Sequence, residues 1–174
     1  MDETICYLLD SWANLYNNTV ANDHLDISKV TEWDLCSYVK YPSVLMSLLL
    51  TDENLFENLP PVEDAVEVLT ELNKFYNIRI VTDASGSITV LYGKLKWIKK
   101  HLPFVDTKRD VFFTSNKNAI KGDIIIDDGP YILESDDQGK ILMDRRYNRT
   151  PIYHSGVIRV KTWKEIYELL QEDV

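Results

Sequence analysis

Two adjacent acids, Asp127 and Asp128, follow directly on Ile124-Ile125-Ile126. Three isoleucines in a row read as a buried strand, so both carboxylates emerge at its mouth, where they repel each other and lose hydration. A hard divalent cation such as Mg²⁺ relieves that repulsion because it prefers carboxylate oxygen. The same Asp-Asp-Gly-Pro run also fits a turn or helix cap with no ion involved. Thr82 closes a second β-branched run, Ile78-Arg79-Ile80-Val81, and leads into Asp83-Ala84-Ser85-Gly86-Ser87. A hydroxyl and free N–H groups ahead of a helix suit a phosphate, although an ordinary N-cap by Ser85 or Ser87 would leave the same trace. Asp83 beside Thr82 would oppose an anion unless it points away or pairs with a cation. Lys117, in the run TSNKNAIKGD ahead of the acid pair, could neutralise phosphate charge. Lys121 is its rival, and a solvated surface lysine is the plain alternative. Asp2 and Thr4 stand in MDETI at the head of a first helix, where an acid also favours the helix dipole.

The elements that must position these residues follow from hydrophobic spacing. Ile5, Leu8, Leu9, Trp12 and Tyr16 put an apolar stripe on a helix over Thr4 to Asn17. Residues 18 to 59 change character. They hold Trp33, Tyr38 and Tyr41, a short apolar helix over Val44 to Leu50, and no strong strand, which reads as a compact helical insertion. From Pro61, a residue suited to a first helical turn, the pattern becomes regular. Val62, Ala65, Val66, Leu69 and Leu72 recur at helical spacing, as do Leu91, Leu95, Ile98 and Leu102, and then Trp163, Ile166, Tyr167 and Leu170. Between them lie strands at residues 78–81, 111–113, 124–126, 141–143 and 157–160. Alternating strands and helices predict a parallel sheet covered on both faces. In such sheets ligands bind beyond the carboxyl ends of the strands, the edge where Thr82, Asp127 and Asp128 fall.

Composition narrows the partners. The chain has 174 residues, 45% hydrophobic and 27% charged, with a formal net charge of -9. That is enough apolar material for one domain. An acidic surface repels polyanions, so a nucleic acid polymer is excluded as the expected partner, while a metal can still reverse the field at one site. No apolar run approaches the roughly 20 residues of a membrane span. Acids stand where a secretory leader would carry basic residues, and the expected location is the cytoplasm. Cys6 and Cys36 form no metal pattern and read as bystander thiols.

In chain order the residues read MDET, then IRIVT, then NK, then IIIDD. This order resembles the four motifs of haloacid dehalogenase-like phosphatases, and LPPVEDAVEVLTELNKFYNIRIVTDAS, KLKWIKKHLPF, DIIIDDGPYIL and VIRVKTWKEI are similar to the 5'(3')-deoxyribonucleotidases in particular. The resemblance implies an α/β fold, with a three-layer Rossmann-like parallel sheet as its core (1–17 and 60–174) and a small helical cap (18–59). It implies a Mg²⁺-dependent phosphatase hydrolysing deoxynucleoside monophosphates through an aspartyl-phosphate. Asp2 would protonate the leaving group and activate water. Thr82, Asp83 and Lys117 would hold the phosphoryl group. Asp2, Asp127 and Asp128 would hold the metal, and Trp33 and Tyr41 would stack on the base or simply pack within the cap. The expected partner is a small nucleotide, with a homodimer left open.

The family pattern also places the attacking aspartate, at the end of a central apolar strand, just before Met1. Without that strand its neighbours would bury unpaired backbone groups, each costing on the order of 1–3 kcal/mol. The expectation is therefore an in-frame apolar run ending in Asp directly upstream. Two other readings stand beside the phosphatase: a non-catalytic relative that binds a phosphorylated ligand or protein, and a phospho-acceptor receiver domain. The latter has its acid pair first and its lysine last, the reverse of the order here.

Overall fold

The computed structural model describes residues 1–84, 86–129, 132, 138–149 and 156–171. Short parallel strands alternate with helices in an α/β arrangement. β1 (Ile80–Thr82) pairs in parallel with β2 (Val111–Phe113), so that Thr82 stands opposite Phe113. β3 (Ile124–Asp127), β4 (Gly139–Met143) and β5 (Val157–Val160) form a second parallel ladder in that order, with Asp127 opposite Leu142. The strands expected from the β-branched runs all occur, β1 shifted toward Thr82 and β4 two residues longer. No ladder joins β1 to β3 among the described residues.

The helices are α1 (Leu9–Thr19), α2 (Pro42–Thr51), α3 (Ala65–Leu72), α4 (Ile88–His101) and α5 (Trp163–Gln171). Residues 18–59 hold α2, the end of α1 and three 3-10 turns, Ile27–Lys29, Leu35–Tyr38 and Phe56–Asn58, and no strand. Ser87 caps α4 by accepting the Val90 N–H, whereas Ser85 lies outside the described residues. No described helix is long and apolar enough to cross a membrane.

Two expected helix starts are wrong. The first helix begins at Leu9, not Thr4, because residues 1–6 form a tight turn in which Glu3 takes φ 53°. The Glu3 carboxylate then accepts from the N–H groups of Leu8 and Leu9 at 2.7 and 2.8 Å, satisfying donors that a helix start leaves open. Pro61 does not open a helix. It bridges Cys6 in antiparallel fashion, with Tyr7 N–H donating to the Pro60 carbonyl and Val62 N–H to Ile5, and α3 starts only at Ala65.

Three buried tryptophans tie these pieces together, each donating its indole N–H to a backbone carbonyl elsewhere in the chain. Trp12 reaches Leu45 (2.8 Å), Trp97 reaches Leu59 (2.7 Å) and Trp163 reaches Thr4 (2.8 Å). A buried indole delivers large apolar area and needs that one acceptor. Gly93 allows α4 to meet the Phe56–Asn58 turn, since a Cβ there would lie 2.8 Å from the Phe56 Cβ.

The α1–α2 contact centres on Leu45, which is fully buried, while its neighbour Met46 is exposed. Leu45→Ala is expected to lower the free energy of unfolding by about 2–5 kcal/mol, as cavity-forming substitutions do. Met46→Ala should cost under about 1 kcal/mol. Urea denaturation of both variants checks this.

Candidate active site

The N-terminal turn places Asp2. The Met1 carbonyl accepts the N–H of Ile5 at 2.8 Å, Trp163 holds the Thr4 carbonyl, and Arg145 Nε donates to the Glu3 carbonyl at 2.8 Å. Asp2 is thereby turned toward α4, where Lys94 waits on the helix face it shares with Val90, Trp97 and Ile98. Only 2% of Lys94 is exposed. Its ammonium donates to Asp2 Oδ2 (2.6 Å), to Thr82 Oγ1 (3.0 Å) and to the Asp83 carbonyl, with the Phe56 ring 5.0 Å away. Burial is the largest influence on Asp2 and opposes its ionisation, but the Lys94 charge and hydrogen bond, the N-terminal ammonium and Lys117 together outweigh it and hold the carboxyl below its ordinary range. Asp2 Oδ1 is buried and has no hydrogen-bond partner among the described residues.

The acid pair at the end of β3 divides into two unlike sites. Asp127 Oδ1 accepts the N–H groups of Asp128 (2.8 Å) and Gly129 (2.9 Å), and Oδ2 pairs with Lys117 at 2.9 Å. Asp128 receives neutral donors: Thr4 Oγ1 at 3.0 Å on one oxygen and the Tyr147 hydroxyl at 2.5 Å on the other. Burial, and then the adjacent Asp127 charge, push the Asp128 carboxyl up to about 7. Burial and the Asp128 charge also raise the Tyr147 phenol, so the hydroxyl donates.

These groups floor one cavity of about 340 Å³. Asp2, Asp83, Lys94, Lys117, Asp128 and Tyr147 line it below, and an apolar wall that includes Trp12, Trp33, Leu49 and Phe56 rises above them. Thr82 and Asp127 stand directly behind the floor, joined to it through Lys94 and Lys117. Trp33 lines the cavity with half its surface exposed, its ring edge-on to Tyr147 at 5.1 Å between centroids. Tyr41 does not line it: its hydroxyl accepts from Asn22 at 3.1 Å, on the outer side of residues 18–59. Lys121 is also absent from the lining, and its carbonyl accepts from Arg79.

Sequence reading missed Lys94 and Tyr147. Lys94 did carry a signal, because it falls four residues after Val90 and three before Trp97, inside the buried stripe of its helix. Tyr147 carried none, since it sits in the short 3-10 turn Arg146–Asn148 with no periodic pattern.

No group of three or more His, Cys, Asp or Glu side chains converges as a metal cage among the described residues. Mg²⁺ rarely needs one, because it is held by one or two carboxylates with water and substrate phosphate. The unpartnered Asp2 Oδ1 and the Asp128 carboxylate, both lining the cavity, fit that requirement. Asp127 fits it less well than the sequence suggested, because Lys117 and two backbone N–H groups already engage both its oxygens.

Residues 1–173 match the family model described as 5' nucleotidase, deoxy (pyrimidine), cytosolic type C protein. The chain is 36% identical over 166 residues to the 5'(3')-deoxyribonucleotidase of Bacillus subtilis strain 168, covering 95% of this chain and 92% of that protein. The same figures hold for the 5'(3')-deoxyribonucleotidase of Bacillus phage SPbeta. The Clostridium acetobutylicum 5'(3')-deoxyribonucleotidase is 31% identical over 173 residues, 98% of this chain and 92% of that protein.

An acid whose folded pKa is raised contributes stability that is full below its unfolded pKa and lost as pH rises through the folded value. For Asp128 that window runs from about 4 to about 7. In metal-free buffer, Asp128→Asn should therefore gain on the wild type as pH rises from about 4 to 7.5, by more than about 1.4 kcal/mol, the equivalent of one pK unit. Urea denaturation at the two ends of the range with EDTA present measures the difference. A constant difference would contradict the assignment.

Proposed function

The chain belongs to the family of 5' nucleotidases described as deoxy (pyrimidine), cytosolic type C, and from that membership we propose that it is a phosphoric monoester hydrolase acting on deoxynucleoside monophosphates. The observation that carries the reading is the convergence of Asp2, Lys94, Lys117 and Asp128 on the floor of a cavity whose upper wall is apolar and aromatic. Two lysines on the floor favour a phosphate in a chain of net charge -9, and the wall favours a flat apolar body such as a nucleobase.

The roles follow from the atoms. Lys94 and Lys117 take the phosphoryl oxygens, supported from behind by Thr82 and Asp127, and resist the charge that shifts during transfer. Asp2 serves the leaving oxygen as acid and then water as base. Lys94 keeps Asp2 ionised in the resting chain, and a phosphate that draws Lys94 away releases Asp2 to take up a proton. Asp2 and Asp128 would hold Mg²⁺, which supplies neutralisation of the phosphate and of the paired acids. Residues 18–59 act as the cap, with Trp33 and Phe56 on its cavity side, and exclude water from the reacting centre. Tyr41 is left out of this role.

A screen of phosphorylated sugars, amino acids and nucleotides, by phosphate release, tests the substrate class. Preference for deoxynucleoside monophosphates is expected, and preference for a non-nucleotide would contradict the substrate. In the active protein, Lys94→Met should lower kcat by about 10²–10³-fold, the usual cost of losing a charge-stabilising donor. Exposed Lys99→Met should leave it unchanged.

A further inference from the structure

The 3-10 turn Arg146–Asn148 touches both the helical segment 18–59 and the floor of the cavity, one residue after another. Arg146 Nη1 donates to the Ser28 carbonyl at 2.6 Å. Tyr147 meets the Trp33 ring edge-on, 5.1 Å between centroids at 78°, and gives its hydroxyl to Asp128 Oδ2 at 2.5 Å. Asn148 Nδ2 donates to the carbonyls of Asp128 and Met143, both at 2.8 Å, which clips the ends of β3 and β4 to the turn. The proposed function uses none of these three side chains.

We propose that this turn couples residues 18–59 to the acid pair, with Tyr147 as the positioning residue that links Trp33 above the cavity to Asp128 on its floor. The inference rests on the reading of Asp128 as a cation ligand. The Tyr147 hydroxyl occupies one lone-pair direction of Asp128 Oδ2 and so sets which direction is left for a cation. A cation arriving at Asp128 must share or displace that hydroxyl, and the phenol ring is rigidly attached to it. The ring in turn is packed against Trp33, which is 55% exposed and free to follow. In the opposite direction, whatever packs on Trp33 from the cavity presses on Tyr147 and alters how Asp128 is presented. Thermodynamic linkage requires the two effects to be equal. The segment that meets the body of a substrate thus reports to the acid that serves its phosphate.

Fluorine NMR of the 174-residue chain labelled with 5-fluorotryptophan tests this without any turnover. The chain has four tryptophans, and Trp33→Phe identifies the Trp33 resonance. Trp163 is the internal reference, because its indole holds the Thr4 carbonyl and the Thr4 hydroxyl holds Asp128 Oδ1, a route that bypasses Tyr147. Titration with Mg²⁺ should shift both resonances in the wild type. In Tyr147→Phe the Trp163 shift should persist and the Trp33 shift should fall at least about fivefold. A second variant guards against misfolding of the first: by reciprocity, Trp33→Ala should change the Mg²⁺ affinity reported by Trp163 by about two- to tenfold. A silent Trp33 in the wild type, an equal Trp33 shift in Tyr147→Phe, or an unchanged Mg²⁺ affinity in Trp33→Ala each overturns the coupling. A silent Trp163 in the wild type overturns the cation reading and the coupling with it. Failure of the substrate reading appears only in the phosphate-release screen, so the two are told apart.

Discussion

An ammonium group taken out of water costs several kcal/mol unless other charges and dipoles replace its hydration, and Lys94 is almost completely buried. Its three acceptors come from three separate pieces of chain: the Asp2 carboxylate from the N-terminal turn, the Thr82 hydroxyl from the end of β1, and the Asp83 carbonyl from the loop that follows. None of these pieces can drift without leaving a buried charge short of a partner. The helix that carries Lys94 is fixed equally firmly. Gly93 lets Phe56 approach to contact distance, and Trp97, one turn on, holds the Leu59 carbonyl. One buried cation therefore sets where the Asp2 carboxylate, the Thr82 hydroxyl and the inner wall of the cavity stand relative to one another.

The acid pair obeys the complementary rule. Two carboxylates adjacent in sequence cannot be satisfied in the same way, because each raises the cost of ionising the other. Asp127 takes the strong donors, Lys117 and two backbone N–H groups. Asp128 is left with two hydroxyls and a carboxyl pushed up to about 7. That inequality separates their work. Asp127 holds a lysine in place, whereas Asp128 gains most from a divalent cation and is the one that lines the cavity. The same logic gives Asp2 two states. On the proposed reading it is an ion while Lys94 is its partner, and would accept a proton once a phosphate competes for that lysine.

Much of this was legible in the sequence because strand ends and acid pairs leave local traces. Ile124-Ile125-Ile126 followed by two acids could only present carboxylates at a strand mouth, and the β-branched run ahead of Thr82 placed its hydroxyl at a second one. The pairing of Asp127 with Lys117 was not legible, nor was the division between Asp127 and Asp128, because both depend on side-chain directions across separate elements. Lys94 was half legible: a lysine in an apolar helical stripe is anomalous, but nothing local says which anion it meets. The false helix start at Thr4 has a definite cause. The apolar spacing that begins at Ile5 is real, but Ile5 and Cys6 use it to reach the core from a turn, and Glu3 spends its carboxylate on capping Leu8 and Leu9. Tyr41 misled because aromatic residues in an insertion look alike in sequence, and of Trp33 and Tyr41 only Trp33 lines the cavity.

The division of the strands into two ladders gives the N-terminal turn a mechanical role beyond supplying Asp2. Thr82 ends β1, and the acid pair ends β3, with no ladder between those strands among the described residues. What spans the two is a handful of residues: Asp2 reaches β1 through Lys94, and Thr4 reaches β3 through Asp128. The turn itself is pinned by Trp163 on the Thr4 carbonyl, by Arg145 on the Glu3 carbonyl and by Val62 on the Ile5 carbonyl. Those pins come from α5, from the loop after β4 and from the segment before α3. The turn that reaches both halves of the site is therefore held from three directions by residues that do not line the cavity. Substitutions there should act on the site's geometry without altering any group that lines it.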